Sequence, residues 1–228
     1  MQRLHQILTL DLLPQLGVYR LMQRLSGLDA FQLFNLTDIQ LKGLGFSASQ
    51  ISLIQHPPIN KLTAIEHWLA QQPNRYVISY FDDHYPPLLK EISSPPLLLF
   101  CQGNIDLMHA PQVAMVGSRA ATVSGKETAK RLAYELAAHG LCVTSGLAAG
   151  IDSCAHRGAL NAQGATIAVM GCGLNTIYPK SNVSLANEII SHGLLISEFW
   201  PDVTPKASQF PRRNRIVSGL SLGVVVVE

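Results

Sequence analysis

Apolar positions in the first 70 residues recur at helical spacing, in Leu4, Ile7 and Leu8 and again in Val18, Leu21, Met22 and Leu25. That period predicts amphipathic helices. Gly17, Gly27, Gly43 and Gly45 interrupt the pattern, so residues 1–70 read as a small all-helical domain. The texture changes over 71–112. Pro73, Pro86, Pro87, Pro95, Pro96 and Pro111 separate apolar patches, and Tyr76-Val77-Ile78-Ser79-Tyr80 and Leu97-Leu98-Leu99-Phe100 read as short strands. The stretch is too apolar to stay solvated and is expected to wrap onto the domain that follows.

From residue 113 the pattern becomes regular. Val113-Ala114-Met115-Val116-Gly117 reads as a buried strand. Ser124 is expected to open a helix, with Glu127 three residues on completing a capping box. Ala129, Leu132, Ala133, Leu136 and Ala137 form one apolar stripe, and Gly140 ends the helix. A strand is expected over 141–145, a helix capped by Asp152 and closed by Gly164, and a strand over 165–170. A helix over about 184–192 and a strand over 194–197 follow, then a short helix over 216–220 and a buried strand over 224–227. Continuously apolar strands alternating with helices predict a parallel sheet covered on both faces. The fold class is α/β: a Rossmann-like, doubly wound, mainly parallel sheet over 71–228, behind the helical domain of 1–70.

At 228 residues the chain can bury a real core. A hydrophobic fraction of 47% and a mean hydropathy of +0.19 exclude a disordered chain. No apolar run approaches the roughly 18 residues that span a bilayer, so membrane insertion is not expected. The N-terminus lacks the pattern of a secretory signal. Cys101, Cys142, Cys154 and Cys172 contain no Cys-x-x-Cys pair and read as reduced, structural residues of a cytoplasmic protein. Residues 1–110 hold 7 basic and 8 acidic side chains, a net of −1; residues 111–228 hold 10 and 7, a net of +3. So mild a balance leaves only local patches to argue from.

In such sheets ligands bind beyond the carboxyl ends of the strands. Four loops meet that condition, over 117–123, 146–152, 171–183 and 198–215. They hold Gly117-Ser118-Arg119, Gly146 with Gly150, Gly171-Cys172-Gly173 with Tyr178-Pro179-Lys180, and a basic window. That window, Phe210-Pro211-Arg212-Arg213-Asn214-Arg215 with Lys206 upstream, carries four positive charges and no acid. Arginine forks match phosphate oxygens, and an aromatic ring gives a base a face to stack on. Pro211 biases Phe210 toward extended backbone, so the ring is expected on a loop. Glycines there let backbone amides approach an anion. The plainer alternative is a solvated basic loop whose arginines pair with Glu188, Glu198 or Asp202.

Other motifs are incomplete. Ser124-Gly125-Lys126-Glu127 is similar to a phosphate-binding Walker loop, but Ala120 stands at the first glycine and Glu127 at the Ser/Thr. Gly171-Cys172-Gly173 is half a dinucleotide fingerprint, with Thr176 at the third glycine. Asp152 and His156, four apart at a helix start, read as a cap and its neighbour, so no metal and no cofactor is expected. No serine is paired with a base, so no catalytic residue is assigned. Leu41-Lys42-Gly43-Leu44-Gly45-Phe46 is similar to a helix-hairpin-helix turn, whose backbone amides approach a phosphate. Glycine turns also simply reverse the chain in helical bundles.

Met115-Val116-Gly117-Ser118-Arg119, Ser145-Gly146-Leu147-Ala148 with Gly150-Ile151-Asp152 and Ala155-His156, Tyr178-Pro179, Ser197-Glu198 and Phe210 to Ile216 together resemble the DNA-processing protein A (DprA/Smf) family over 75–228. The N-terminal part resembles that family's sterile-alpha-motif-like domain more loosely. The resemblance implies a non-enzymatic protein that binds single-stranded DNA, protects it during natural transformation and loads RecA recombinase onto it. It implies DNA contacts at Gly117, Ser118, Arg119, Gly146, Lys180, Lys206, Phe210, Arg212, Arg213, Asn214 and Arg215. Ala149 departs from a frequent Arg, and Trp200-Pro201-Asp202-Val203 from a usual Pro-Pro-Gly-Thr. Family members continue beyond the position of Glu228, often into a winged-helix domain, so the chain is expected to be a piece of a longer protein. Homodimer contacts are expected largely in that further part. The competing reading is a nucleotide-processing enzyme of the related lysine-decarboxylase-like phosphoribohydrolase group, whose Pro-Gly-Gly-x-Gly-Thr-x-x-Glu loop does not occur in residues 1–228.

Overall fold

The computed structural model describes residues 2–228, which divide into two compact units. One comprises residues 2–73 with Ser93–Leu98, the other Asn74–Ile92 with Leu99–Glu228.

The first unit holds helices α1 (Arg3–Asp11), α2 (Val18–Leu25), α3 (Asp38–Gly43), α4 (Ala48–Gln55) and α5 (Ile59–Ala70). Leu8, Leu21, Leu33, Leu41 and Leu62 are fully buried at its centre. Thr37 with Gln40 and Ser47 with Gln50 form reciprocal capping boxes that start α3 and α4. Gly45 takes φ +83° in the turn between those helices. There the amides of Leu44, Gly45 and Phe46 donate to the carbonyls of Gln40, Lys42 and Leu41. These three amides close the end of α3, so they are not turned outward toward a phosphate as the hairpin-like sequence suggested.

The second unit is built on a seven-stranded sheet. Its elements are β1 (Arg75–Ser79), α6 (Pro87–Lys90), β2 (Leu98–Gly103), β3 (Gln112–Gly117), α7 (Val123–Ala138), β4 (Cys142–Ser145), α8 (Ile151–Asn161), β5 (Thr166–Val169), α9 (Val183–His192), β6 (Leu194–Ser197), α10 (Gln209–Gly219) and β7 (Gly223–Val227). The strand order is β1-β2-β6-β5-β4-β3-β7. Pairing is parallel from β6 through β7, and antiparallel between β2 and β6, where Phe100 faces Ser197 and Gly103 faces Leu194. This is the doubly wound, mainly parallel sheet, with the order reversing beside β3. The proline-rich stretch supplies β1 and β2.

The two faces bury different side chains. One holds Ile78, Tyr85, Leu89, Leu99, Ile196 and Ile216. The other is made small: Ala129, Ala133 and Ala137 of α7 meet Ala155 and Ala159 of α8 above Met115 and Val143. Leu132 and Leu136 are only partly buried at its margin. Alanine contacts bring two helix backbones close, and Gly158 completes the approach, since a Cβ there would lie 2.2 Å from the Lys130 carbonyl oxygen.

Three local expectations differ. Helix α7 is capped by Thr122, whose Oγ1 accepts from the Gly125 amide at 3.0 Å, rather than by Ser124. Thr122 is selected because Glu228 holds its amide and hydroxyl. Within residues 2–228 strand β7 pairs with β3 on one side only, and Val224 is 50% and Val226 73% exposed. Helix α10 begins at Gln209, so Phe210 and Pro211 lie in its first turn rather than on a loop. Proline is tolerated there because a first-turn amide has no intrahelical acceptor.

Gly158→Ala is expected to lower stability even though alanine is the better helix former by about 1 kcal/mol. The overpacked contact costs roughly 1–3 kcal/mol. A urea titration reads the sign, and a variant more stable than the parent refutes the close-contact account.

Candidate nucleic-acid interface

The carboxyl edge of the sheet is organised by one buried guanidinium. Arg213 is 3% exposed and donates through Nη1 to the carbonyls of Gly146, beyond β4, and Val169, at the end of β5. Gly146 lets the guanidinium lie against the backbone, since a Cβ there would lie 2.2 Å from Arg213 Nη2. Asp152 supplies the opposing charge. Burial raises its pKa, while Arg213 and the Ala148 and Gly146 amides favour the carboxylate. Those two amides donate to Asp152 Oδ2 at 3.3 and 3.1 Å. Asp152 therefore folds back onto the loop before α8 instead of capping the helix. Burial in turn lowers the Arg213 pKa, with Asp152 opposing that shift.

This network changes two sequence expectations. Arg213 is spent inside the protein and is not available to a solvent-borne phosphate. The Gly146 amide is occupied by Asp152, and the Ser118 amide donates to the Glu228 carbonyl at 3.0 Å. The glycine loops therefore do not form an open cradle of amides. Gly171 serves a side chain instead: a Cβ there would lie 2.6 Å from the Phe210 ring, so glycine lets the ring lie against the backbone.

Phe210 and Arg213, three residues apart, share one side of α10. Seating Arg213 thus places the half-buried Phe210 ring at the rim. Tyr178, 45% exposed, lies 5.4 Å from it between ring centroids, tilted by 39°. The exposed Arg119 guanidinium sits 5.5 Å from the Phe210 centroid, within cation–π range. Together with Pro179, Ala148 and Ala149 these three side chains line a narrow cleft of about 100 Å³. A broader groove of about 420 Å³ shares Arg119, Tyr178 and Phe210 and extends past Pro205, Ala207 and Pro211. Lys180 and Lys206 are exposed one residue from these linings.

The remaining window residues separate. Arg212 and Arg215 both donate to Glu198, Arg212 Nη2 at 2.9 Å. The Arg212 guanidinium also lies 5.7 Å from the Phe199 ring. Asn214 is exposed and accepts from Arg213 Nε at 3.1 Å. Ser118 accepts from the Ala120 amide and shapes the Arg119 turn. Tyr178 and Glu198 were not among the residues singled out for contact, although both stand in quoted motifs. A tyrosine before proline in a carboxyl-edge loop is a usable signal, and Glu198 takes the arginine pairing that the sequence offered to Glu188, Glu198 or Asp202, with both arginines on one oxygen.

Ser145 and His156 are not placed as a nucleophile and its base. Ser145 Oγ donates to the Met115 carbonyl inside the sheet at 2.6 Å. His156 is fully buried against Thr166, and burial, reinforced by Arg213, lowers its pKa to about 3. Among the described residues no group of three or more His, Cys, Asp or Glu side chains is placed to hold a metal ion. No helix is long and apolar enough to cross a membrane, again among the described residues.

The doubly wound sheet, with its aromatic–arginine cleft at the carboxyl edge, places the chain in the Rossmann-like α/β class of proteins. The particular family follows from comparison: the family described as DNA recombination-mediator protein A matches residues 76–228, and the chain belongs to it. It is 42% identical to Protein Smf of Escherichia coli over 191 residues, 83% of this chain and 51% of that protein. It is 46% identical to DNA processing protein DprA of Streptococcus pneumoniae over 150 residues, 66% of this chain and 53% of that protein. The chain thus spans about half the length of these relatives. The X-ray structure of the Streptococcus pneumoniae protein superposes with a TM-score of 0.67 at 35% identity, covering 92% of this chain and 76% of that one. A structure of DNA processing protein A from Helicobacter pylori, described for its single-stranded DNA binding mode, gives a TM-score of 0.59 at 33% identity, covering 67% and 68%.

Arg213→Met is expected to cost about 3–5 kcal/mol, because it removes the donors to the Gly146 and Val169 carbonyls and the positive charge that favours the buried Asp152 carboxylate. A loss below about 1 kcal/mol in denaturant unfolding contradicts the strut. His156 generates a pH dependence. Its folded pKa lies below the ordinary 6.5, so the unfolded chain takes up the proton first as pH falls. Its contribution to stability is therefore complete above pH 6.5 and declines between 6.5 and about 3, by up to about 1.4 kcal/mol per pH unit. His156→Asn should flatten the acid side of the stability profile; an unchanged profile excludes His156 as its source.

Proposed function

We propose that this chain binds single-stranded DNA as a non-enzymatic recombination mediator, gripping phosphates with Arg119, Lys180, Lys206 and Arg212 and stacking a base on Phe210. The observation that carries this reading is the exposed Arg119 guanidinium beside the Phe210–Tyr178 ring pair. A phosphate site alone has no use for two partly exposed rings, whereas a single strand presents both charge and base faces. Duplex DNA stacks its bases internally and offers the cleft only its backbone. Gly117 and Ser118 set the turn that carries Arg119, Gly146 and Arg213 act as internal supports, Arg215 holds Glu198, and Asn214 extends the polar rim. Membership of the family supports the wider role of the whole protein: DNA processing in natural transformation, delivery of the strand to RecA, a cytoplasmic location, and a homodimer formed largely outside residues 1–228.

The electrostatic grip is quantitative. Glu198 offsets one of its two arginines, so the exposed set neutralises about four phosphates: Arg119, Lys180, Lys206 and one net charge from the Glu198 group. The log–log salt slope for single-stranded DNA is then near −2.8, and raising salt from about 50 to about 200 mM weakens binding roughly fiftyfold. Fluorescence anisotropy with labelled oligo-dT and a matched duplex tests this directly. Phe210→Ala is expected to cost about 1–3 kcal/mol of oligo-dT binding while leaving the salt slope unchanged. Equal affinity for duplex and single strand, or a folded Phe210→Ala protein that binds as the parent does, overturns the reading. Release of ribose phosphate from a nucleoside monophosphate points instead to the phosphoribohydrolase chemistry.

A further inference from the structure

Glu198 follows directly on β6, and its side chain is only 4% exposed. Its Oε2 receives Nη2 of both Arg212 and Arg215, which lie three apart on α10. Its other oxygen, Oε1, is buried with no hydrogen-bond partner among the described residues, as is Nη1 of Arg215. The group is thus a carboxylate with two cations on one oxygen. The cations differ: the Arg215 side chain is 23% exposed and the Arg212 side chain 62%. Either arginine alone suffices to neutralise Glu198. Arg212 can therefore leave for solvent-side phosphate without stranding a buried charge, since Arg215 stays behind.

We propose that Glu198 is a positioning residue that holds Arg212 in reserve, releasing it to a phosphate of the bound strand while Arg215 keeps the carboxylate neutral. The proposal rests on the single-stranded DNA reading of the same site. While the exchange lasts, the attachment of α10 to the end of β6 survives through Arg215, so Phe210 keeps its place. Glu198 also sets the charge of the interface one unit lower than its arginines alone would. The strand is held less tightly than the basic window permits, as a protein that must pass its strand on requires.

The test is the salt slope of oligo-dT binding in 228-residue chains with confirmed unfolding transitions. Glu198→Gln keeps an acceptor for Arg215 but removes the offsetting charge. Its slope is expected to steepen from near −2.8 to near −3.5, so that the loss between about 50 and about 200 mM grows from roughly fiftyfold to more than a hundredfold. Arg212→Gln, a surface change that does not threaten the fold, is expected to flatten the slope to near −2.1. A purely structural ion pair moves neither slope. A folded Glu198→Gln protein with the parental slope, or an Arg212→Gln protein with the parental slope, overturns the proposal while leaving single-stranded DNA binding intact. A parent chain that binds no oligo-dT overturns both readings together.

Discussion

Burial of the Arg213 guanidinium is the constraint on which the carboxyl edge depends. A charge taken out of water must be matched and hydrogen-bonded, or it costs several kcal/mol. The fold meets that demand with Asp152 and with the carbonyls of Gly146 and Val169, which end or follow two adjacent strands. One side chain of α10 is thereby tied to the sheet and to the loop before α8. Phe210, three residues earlier, has little freedom left. Its ring comes to rest on Gly171, within reach of Tyr178 and Arg119. The stacking surface is a consequence of a buried guanidinium, not an independent feature.

The same demand redistributes the charge of the basic window. Four cations close together in sequence do not become four cations facing solvent. Arg213 is internal, Arg212 and Arg215 share Glu198, and Lys206 alone among them has no carboxylate opposed to it in the described structure. Arg119 and Lys180, remote in sequence, restore the positive rim. Close repulsion among like charges is relieved by one buried acid. Crowding three arginines into a helix's first turns would otherwise also oppose the helix dipole.

Much of the architecture was legible beforehand. Strands over 112–117, 142–145, 166–169 and 194–197 are short, apolar and bounded by glycine or helix caps, so period and length sufficed. The alanine stripe of α7 announced a close helix contact, though only the structure shows Gly158 on the other side. The misread elements share a cause. Thr122 rather than Ser124 caps α7 because Glu228, far away in sequence, binds it. Phe210-Pro211 looked like a loop by local preference, and tertiary anchoring of Arg213 draws both residues into a helix.

The sequence by itself determined the fold class, the edge of the sheet that carries the site, and the residue types gathered there. Apolar periodicity and glycine placement are local properties, and they dictate where strands end. Tertiary structure alone decided which cations face solvent and which are struts. That choice turns on desolvation and on partners such as Asp152 and Glu198, which lie 61 and 14 residues from the arginines they neutralise. Sequence offered Glu188, Glu198 and Asp202 as partners without choosing among them, because burial is a property of the assembled chain.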